Sequence, residues 1–169
     1  LFTQLHHANL SAEFEITFLD EKDNIYDHQQ GIIHWYSSGD TQIENIKPLD
    51  NIITATNDLI SNYQSFSQQV SISSIADVTI KNVFDFLVLP AKFYDEQFYL
   101  ESQKSKSKLI FKDNNKSKML ASSIHIYLSD RSLPTKLIFK DNLNYKAIVN
   151  FKHFIKMKAH TLKPVTYSK

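Results

Sequence analysis

Residues 31–48 read GIIHWYSSGDTQIENIKP and show most clearly how the chain folds. Gly31 to Tyr36 is rich in β-branched and aromatic residues, and Thr41 to Ile46 alternates between polar and apolar residues. Between them, Ser37 to Asp40 consists of residues that are common in turns. The pattern predicts a β-hairpin whose second strand stops at Lys47-Pro48.

The same pattern continues beyond this hairpin. Two further strands are predicted at Asn51–Thr56 and Leu59–Tyr63. They flank Asn57-Asp58, and because both residue types tolerate positive φ, this short connection favours another hairpin. Consecutive hairpins predict an antiparallel meander over residues 26–72.

Strands are also predicted on both sides of the meander. Phe14, Ile16 and Phe18 alternate with polar residues, which is typical of a strand with one buried face. The later predictions are a solvated hairpin or long edge at Glu101–Lys108 between strands at 98–100 and 109–111, a loop at Asp113–Lys118, and strands at Ile124–Leu128, Leu137–Lys140 and Tyr145–Ile155.

Two helices are predicted from the spacing of apolar residues. The first is short and amphipathic and covers Leu1–Asn9. The second covers Thr79–Leu89, with Asp77 or Thr79 as its cap and Pro90 as its end. Its single apolar stripe consists of Ile80, Val83, Phe84, Leu87 and Val88. Both helices need an apolar surface on which to lie, and the sheet offers the largest one.

The composition limits what the chain can do. Its 169 residues predict one domain, 1–169, with a core of its own. Two glycines leave little material for phosphate-binding loops, and the absence of cysteine excludes disulfides and thiolate chemistry. A net charge of +1 gives no strong field to attract nucleic acid. No apolar run approaches the roughly 18 residues that a membrane-spanning helix needs.

Residues suited to catalysis do not form a recognisable pattern. The seven histidines lack the i, i+4 or H-x-H spacing of metal ligands, and no G-x-S-x-G nucleophile motif occurs. Glu13 and Glu15 could form a carboxylate pair, but on one strand face opposite Phe14 and Ile16 they are expected to face water. The sequence therefore predicts a binding protein and not an enzyme, without a metal or cofactor.

A curved sheet would turn one set of alternating side chains toward a shared hollow. Ligand-binding residues are predicted there from the strands and from the second helix: Phe14, Ile16, Phe18, Ile33, Trp35, Ile43, Ile53, Ala55, Leu59, Tyr63, Val83, Phe84 and Leu87. The alternative is a core filled by these same side chains, because periodicity alone does not separate a packed interior from a lipid cavity.

This order of elements resembles the LolA family of periplasmic lipoprotein carriers. The resemblance rests on a helix leading into Ala12-Glu13-Phe14, the strand entry Gln30-Gly31-Ile32-Ile33 and the spacing from Gly31 to Pro48. It continues through the Asn57-Asp58 turn into Tyr63, the helix near Phe84 to Leu89 and the pattern Pro134-x-x-Leu137-x-Phe139-x-Asp141.

The resemblance implies an α+β fold, in which a strongly curved antiparallel sheet forms an incomplete β-barrel with a short helical lid. It also implies a monomeric periplasmic carrier for acylated lipoproteins or another lipid. The implied partners are an inner-membrane ABC lipoprotein-releasing transporter and an outer-membrane lipoprotein receptor. A regulatory interaction domain of the same fold, which would bind its partner through surface strands, is the alternative.

The chain departs from the family pattern at several positions. The arginine that helps to hold the family's lid shut falls on Ser37, and the following proline falls on Ser38. Ser61 replaces an aromatic residue, and Ile16 replaces a glutamine. These differences predict a divergent carrier, with Ser37 and His34 as gating residues at the mouth of the hollow.

Overall fold

The computed structural model describes residues 1–48, 50–103, 106–111 and 121–158. The loop predicted at Asp113–Lys118 lies outside these ranges. The described residues form one antiparallel sheet of eleven strands, in the order β6-β5-β4-β3-β2-β1-β11-β10-β9-β8-β7, that does not close into a barrel. The strands are β1 (Leu10–Leu19), β2 (Ile25–Trp35), β3 (Thr41–Lys47), β4 (Asn51–Ala55), β5 (Leu59–Gln64), β6 (Gln69–Ser74), β7 (Phe98–Gln103), β8 (Lys106–Phe111), β9 (Ala121–Leu128), β10 (Pro134–Asp141) and β11 (Lys146–Lys156).

The meander expected from residues 26–72 is present as β2 to β6, and β7 and β8 form the expected hairpin at one edge of the sheet. Between the two arms of the sheet, β1 pairs with β11, so the first and last strands lie side by side. The incomplete barrel with short helices that the resemblance implied is therefore confirmed.

One face of the sheet is covered by helices, and we call it the inner face. The strand registers place Ala12, Ile33, Ile43 and Ile53 in one row on this face, and all four are buried. Because neighbouring residues of a strand point to opposite faces, the residues between them lie on the other, outer face.

Four short helical elements accompany the sheet within the described ranges. These are α1 (Phe2–His7), a 3₁₀ turn (Ile75–Asp77), α2 (Val83–Leu87) and α3 (Ala91–Gln97). The first helix confirms the prediction for the N-terminus. The second helix is much shorter than the predicted Thr79–Leu89. Within the described residues, no helix combines the length and the apolar character needed to cross a membrane.

The start of α2 is set by a capping box and not by Asp77 or Thr79. The Asn82 side chain accepts a hydrogen bond from the Asp85 N–H at 3.0 Å, and the Asp85 carboxylate accepts one from the Asn82 N–H at 3.3 Å. Pro90 was expected only to end a helix. It also immediately precedes α3, which the sequence analysis missed, because proline tolerates the start of a helix as well as its end.

Replacing Asn82 with alanine removes the side-chain acceptor of this box. We expect the free energy of unfolding to fall by about 1 kcal/mol, which is the usual cost of losing such a cap. Urea titration followed by circular dichroism measures the change. Asn142→Ala, in the exposed β10–β11 turn, serves as a surface control. An unchanged midpoint for Asn82→Ala would show that packing alone fixes the start of α2.

Candidate functional site

The residues predicted to line a hollow are mostly brought together on the inner face. The predicted strand residues that are buried on this face are Phe14, Ile16, Ile33, Trp35, Ile43, Ile53 and Ala55, and Phe18 is partly buried beside them. Two rings of β11 lie close to Trp35, with centroid distances of 6.1 Å for Phe151 and 6.2 Å for Phe154. Together they form the floor of the expected binding site.

Leu59 and Tyr63 do not belong to this floor. In the β4–β5 pairing, Ala55 lies opposite Ile60 and Ile53 lies opposite Asn62, so Ile60 and Asn62 continue the inner face. Leu59 lies on the outer face and is 49% exposed. Apolar residues occupy both faces of β5, and a displacement by one residue exchanges the two faces. This ambiguity explains why the sequence analysis placed both residues wrongly.

The hollow is filled by residues 75–97, which we call the lid segment. Its side chains form one core with the inner face, and the most completely buried apolar ones are Ile80, Val83, Phe86, Leu87 and Leu89. Val83 and Leu87 were predicted to face the hollow. Phe84 is only partly buried, with its ring 6.5 Å from that of Phe14. The open lipid cavity that the sequence left as one alternative is therefore occupied by the chain's own lid segment.

Phe86 was missed as a core residue because a single helical stripe was assumed. It is fully buried, with its ring 5.8 Å from Phe2 of α1 and 5.3 Å from Tyr94 of α3. The Tyr94 hydroxyl donates a hydrogen bond to the Phe86 carbonyl. Burial raises the pKa of Tyr94 well above 10.0, so this hydroxyl keeps its proton. The other side of α2 thus packs against two helices.

A buried chain of hydrogen bonds holds the lid segment to α1 and β3. His6 Nδ1 lies 2.7 Å from the Phe2 carbonyl oxygen, and His6 Nε2 lies 2.9 Å from Thr41 Oγ1. The Thr41 hydroxyl donates to the carbonyl oxygen of Leu89 at 3.0 Å. His6 and Thr41 are 2% and 0% exposed. We call these contacts the latch.

The latch is reinforced by one backbone contact. The Ala91 N–H donates to the Gly39 carbonyl oxygen at 3.0 Å, which ties the first turn of α3 to the β2–β3 turn. Gly39 has a φ of +92°, a conformation that glycine adopts without the steric cost of a side chain. The lid segment is therefore fixed on both sides of Pro90.

Burial lowers the pKa of His6 below its ordinary value of 6.5, although the Phe2 carbonyl and the carboxylates of Asp40 and Asp95 act in the opposite direction. As the pH falls below about 6.5, the unfolded chain takes up a proton before the folded protein does. The stability contributed by the neutral ring is complete above that pH and is lost as the pH falls through the folded pKa.

We therefore expect the free energy of unfolding of His6→Gln to decrease less between pH 7 and about pH 5 than that of the unsubstituted protein. Urea titrations at several pH values measure both curves. His7→Gln, at the exposed position that follows His6 in α1, is the surface control. A His6→Gln curve as steep as that of the unsubstituted protein would contradict this assignment.

The two predicted gating residues have different surroundings. Ser37 lies in the β2–β3 turn, where its N–H donates to Asn9 Oδ1 at 3.1 Å and where it lines a cleft of about 410 Å³ beside α1 and α3. His34 lies on the outer face, with Nε2 3.4 Å from Glu44 Oε2 and not at the mouth of the hollow. A gating role for either residue stays a prediction.

The latch residues were missed because His6 and Thr41 belong to no recognisable motif in the sequence. The sequence did contain a signal for His6. It shares the i, i+3, i+4 spacing with Phe2 and Leu5, which places it on the buried side of α1. Thr41 alternates in register with Ile43, which also places it on the inner face.

The chain is similar to known proteins in sequence and in fold. The sequence profile described as outer membrane lipoprotein carrier protein LolA matches residues 6–163. The chain belongs to the LolA family. None of the curated protein sequences matches it.

Solved structures show the same fold at low sequence identity. A LolA superfamily protein from Nitrosomonas europaea is similar with a TM-score of 0.55 and 11% identity, over 95% of this chain and 90% of that one. A DUF1329 family protein from Desulfovibrio piger is similar with a TM-score of 0.57 and 7% identity, over the same shares.

Proposed function

We propose that this protein is a periplasmic carrier that holds the acyl chains of a lipoprotein, or of another lipid, on the inner face of its sheet. The proposal is supported by the identity of the residues that fill the hollow. The hollow is occupied by a separate helical segment, held by the latch, and not by the side chains of the strands alone. A lid segment that moves away would expose an apolar floor of the kind that hydrocarbon chains bind.

The energetics are consistent with reversible exchange. Burying an acyl chain of about fifteen carbons stabilises the complex by about 12 kcal/mol, at about 0.8 kcal/mol for each methylene. Five apolar side chains of the lid segment are almost fully buried in the closed form: Ile80, Val83, Phe86, Leu87 and Leu89. At about 2 kcal/mol each, they contribute about 10 kcal/mol. The two states differ by little, so cargo can be both taken up and released.

The carrier would act between two membranes. It would receive cargo from an inner-membrane ABC lipoprotein-releasing transporter and deliver it to an outer-membrane receptor, as a monomer and without catalysing a reaction. The proposed partners and the route between the two membranes rest on membership of the LolA family. Each transfer would require the lid segment to exchange places with the acyl chains.

Native mass spectrometry of the protein purified from its host tests this proposal. We expect part of the population to carry one acylated molecule, and we expect the emptied protein to bind a sixteen-carbon lipid again in a one-to-one complex. Trp35, the single tryptophan, lies in the floor and reports the exchange by fluorescence. Protein that is always isolated empty and that takes up no acyl chain would contradict the carrier function.

A second function is favoured by the outer face of β5 and β6. Leu59 is 49% exposed, Ile72 is 61% exposed and Phe66, in the turn between these strands, is 96% exposed. A regulatory domain that binds another protein through surface strands would use such a patch. If this is the function, Leu59→Ser with Ile72→Ser would abolish partner binding and leave lipid uptake unchanged.

A further inference from the structure

The inner face is not apolar throughout. On β3, β4 and β5 the registers place Asn45 opposite Asn51, and Asn62 opposite Ile53, all on the inner face. On β6, Ser71 lies opposite Asn62 and Ser73 lies opposite Ile60, so the same face ends in hydroxyl groups. This part of the sheet, which we call the polar corner, bears neutral hydrogen-bonding groups instead of the apolar side chains of β1 and β2.

A cavity of about 310 Å³ separates the polar corner from the lid segment. Asn62, Ser71 and Ser73 line it on the side of the sheet. Phe84 and Val88 line it from the lid segment, next to Ile53 of the apolar floor. The cavity therefore adjoins the place where acyl chains would lie, and its volume suits a small polar group attached to such a chain.

The polar corner contains acceptors without donors. The Oδ1 atoms of Asn45, Asn51 and Asn62 are buried and have no hydrogen-bond partner in the described part of the chain. The orientation of the Asn45 amide is fixed, because its Nδ2 donates to Gln29 Oε1 at 3.1 Å. A buried carbonyl oxygen without a donor costs free energy, so Asn62, which lines the cavity, favours a ligand that donates hydrogen bonds.

The charged side chains around the cavity also limit which ligands it can bind. Asp77 and Asp85 contribute two carboxylates to its lining, and Lys81 contributes one ammonium group. The Asp85 carboxylate also accepts the N–H of Lys81 at 2.9 Å as part of the α2 cap. The lining therefore has an excess of one negative charge, which disfavours a carboxylate or phosphate on the ligand.

We propose that the polar corner binds the head of the acylated cargo, and that this head carries N–H or O–H donors and no negative charge. The inference rests on the proposed carrier function and specifies its cargo. An acyl chain attached to an amide or to a glycerol hydroxyl fits the site, whereas a free fatty acid does not. The Asn62 oxygen in the cavity lining selects the donors, and the two aspartates disfavour the anion.

Binding of three twelve-carbon probes at about pH 8, followed by Trp35 fluorescence, tests the inference. The probes are 1-monolauroylglycerol, which donates hydroxyls, dodecanamide, which donates N–H groups, and laurate, which only accepts. We expect the two donor probes to bind about tenfold more tightly than laurate, as one or two good hydrogen bonds allow. The order of the two donor probes distinguishes a glycerol head from an amide head.

Substitutions in the protein distinguish the contribution of the ligand's head group to binding from that of its acyl chain. Asn62→Leu should reduce the tenfold difference to about twofold, and Asp77→Asn should strengthen laurate binding severalfold. Ser61→Ala, on the outer face of the same strand, should leave the difference intact. Equal binding of all three probes, or an unchanged difference in Asn62→Leu, would overturn the inference while the carrier function stands. Failure of every probe to bind would overturn both.

Discussion

Gly31→Ala is expected to lower the free energy of unfolding by about 3 kcal/mol, a typical cost of forcing an extra group into a packed core. A Cβ atom on Gly31 would lie 2.5 Å from Phe14 Cζ and 2.5 Å from the Glu44 carbonyl oxygen. The Phe14 ring belongs to the floor and the carbonyl to the neighbouring strand, so neither can move away freely. Either the ring or the β2–β3 pairing must shift.

Urea titration followed by circular dichroism measures this effect. Gln30→Ala, on the outer face one residue earlier in β2, is the matched control and should change the stability by no more than about 0.5 kcal/mol. A stability of Gly31→Ala within that same range would show that the ring and the strand adjust without cost. The contact of Phe14 with the backbone would then not be a fixed part of the floor.

Thr41→Val is expected to raise the affinity for an acyl chain about thirtyfold. The substitution removes the hydroxyl that donates to the Leu89 carbonyl and faces His6 Nε2. Leaving these buried groups without a partner costs about 2 kcal/mol in the closed, empty form. In the proposed carrier cycle the open, loaded form does not depend on the latch, so we expect the whole difference to appear as tighter binding.

Titration with a sixteen-carbon lipid, followed by Trp35 fluorescence, measures the affinity. The control is Thr54→Val on the outer face of β4, because Thr54 also accepts one side-chain hydrogen bond, from Gln42 Nε2 at 3.2 Å, but does not contact the lid segment. Thr54→Val should bind lipid as the unsubstituted protein does. Unchanged or weaker binding by Thr41→Val would show that the latch does not oppose opening.

The strands could be predicted from the sequence because their patterns are local. Alternation and turn residues located the meander, the hairpin of β7 and β8 and the long strands β9 to β11. Which residues of β5 lie on the inner face could not be predicted in the same way. Leu59, Ile60 and Tyr63 offer apolar residues to both faces, and only the pairing of Ala55 with Ile60 determines which of them points inward.

The helices depended on contacts that a sequence pattern does not contain. The start of α2 follows from the reciprocal hydrogen bonds of Asn82 and Asp85, and α3 packs through Tyr94 against α1 and α2. The sequence pattern also could not predict that the lid segment fills the hollow. Apolar residues that alternate along strands do not reveal whether a lipid or another segment of the same chain lies against them.

The polar residues of the site were the hardest to assign. His6 and Thr41 have the spacing of buried positions, but their polarity suggested a surface location. Burial became favourable because each finds a partner: His6 with the Phe2 carbonyl, and Thr41 with the Leu89 carbonyl. Such pairs join residues that are far apart in the chain, so a single sequence does not disclose them.

In the proposed carrier function, the lid segment must leave the sheet before an acyl chain can enter. A covalent bond across its attachment tests this directly, because a Cβ atom built on Gly39 lies 3.7 Å from the Ala91 Cβ, within the range that a disulfide spans. The chain contains no other cysteine, so the double variant Gly39→Cys with Ala91→Cys can form only this bond within one molecule.

Lipid uptake by this double variant should be compared before and after reduction. Both forms carry the same backbone strain at position 39, so the comparison isolates the bond itself. We expect no uptake by the oxidised protein and uptake close to that of the unsubstituted protein after reduction. Equal uptake by the oxidised and reduced forms would show that acyl chains enter without release of the lid segment.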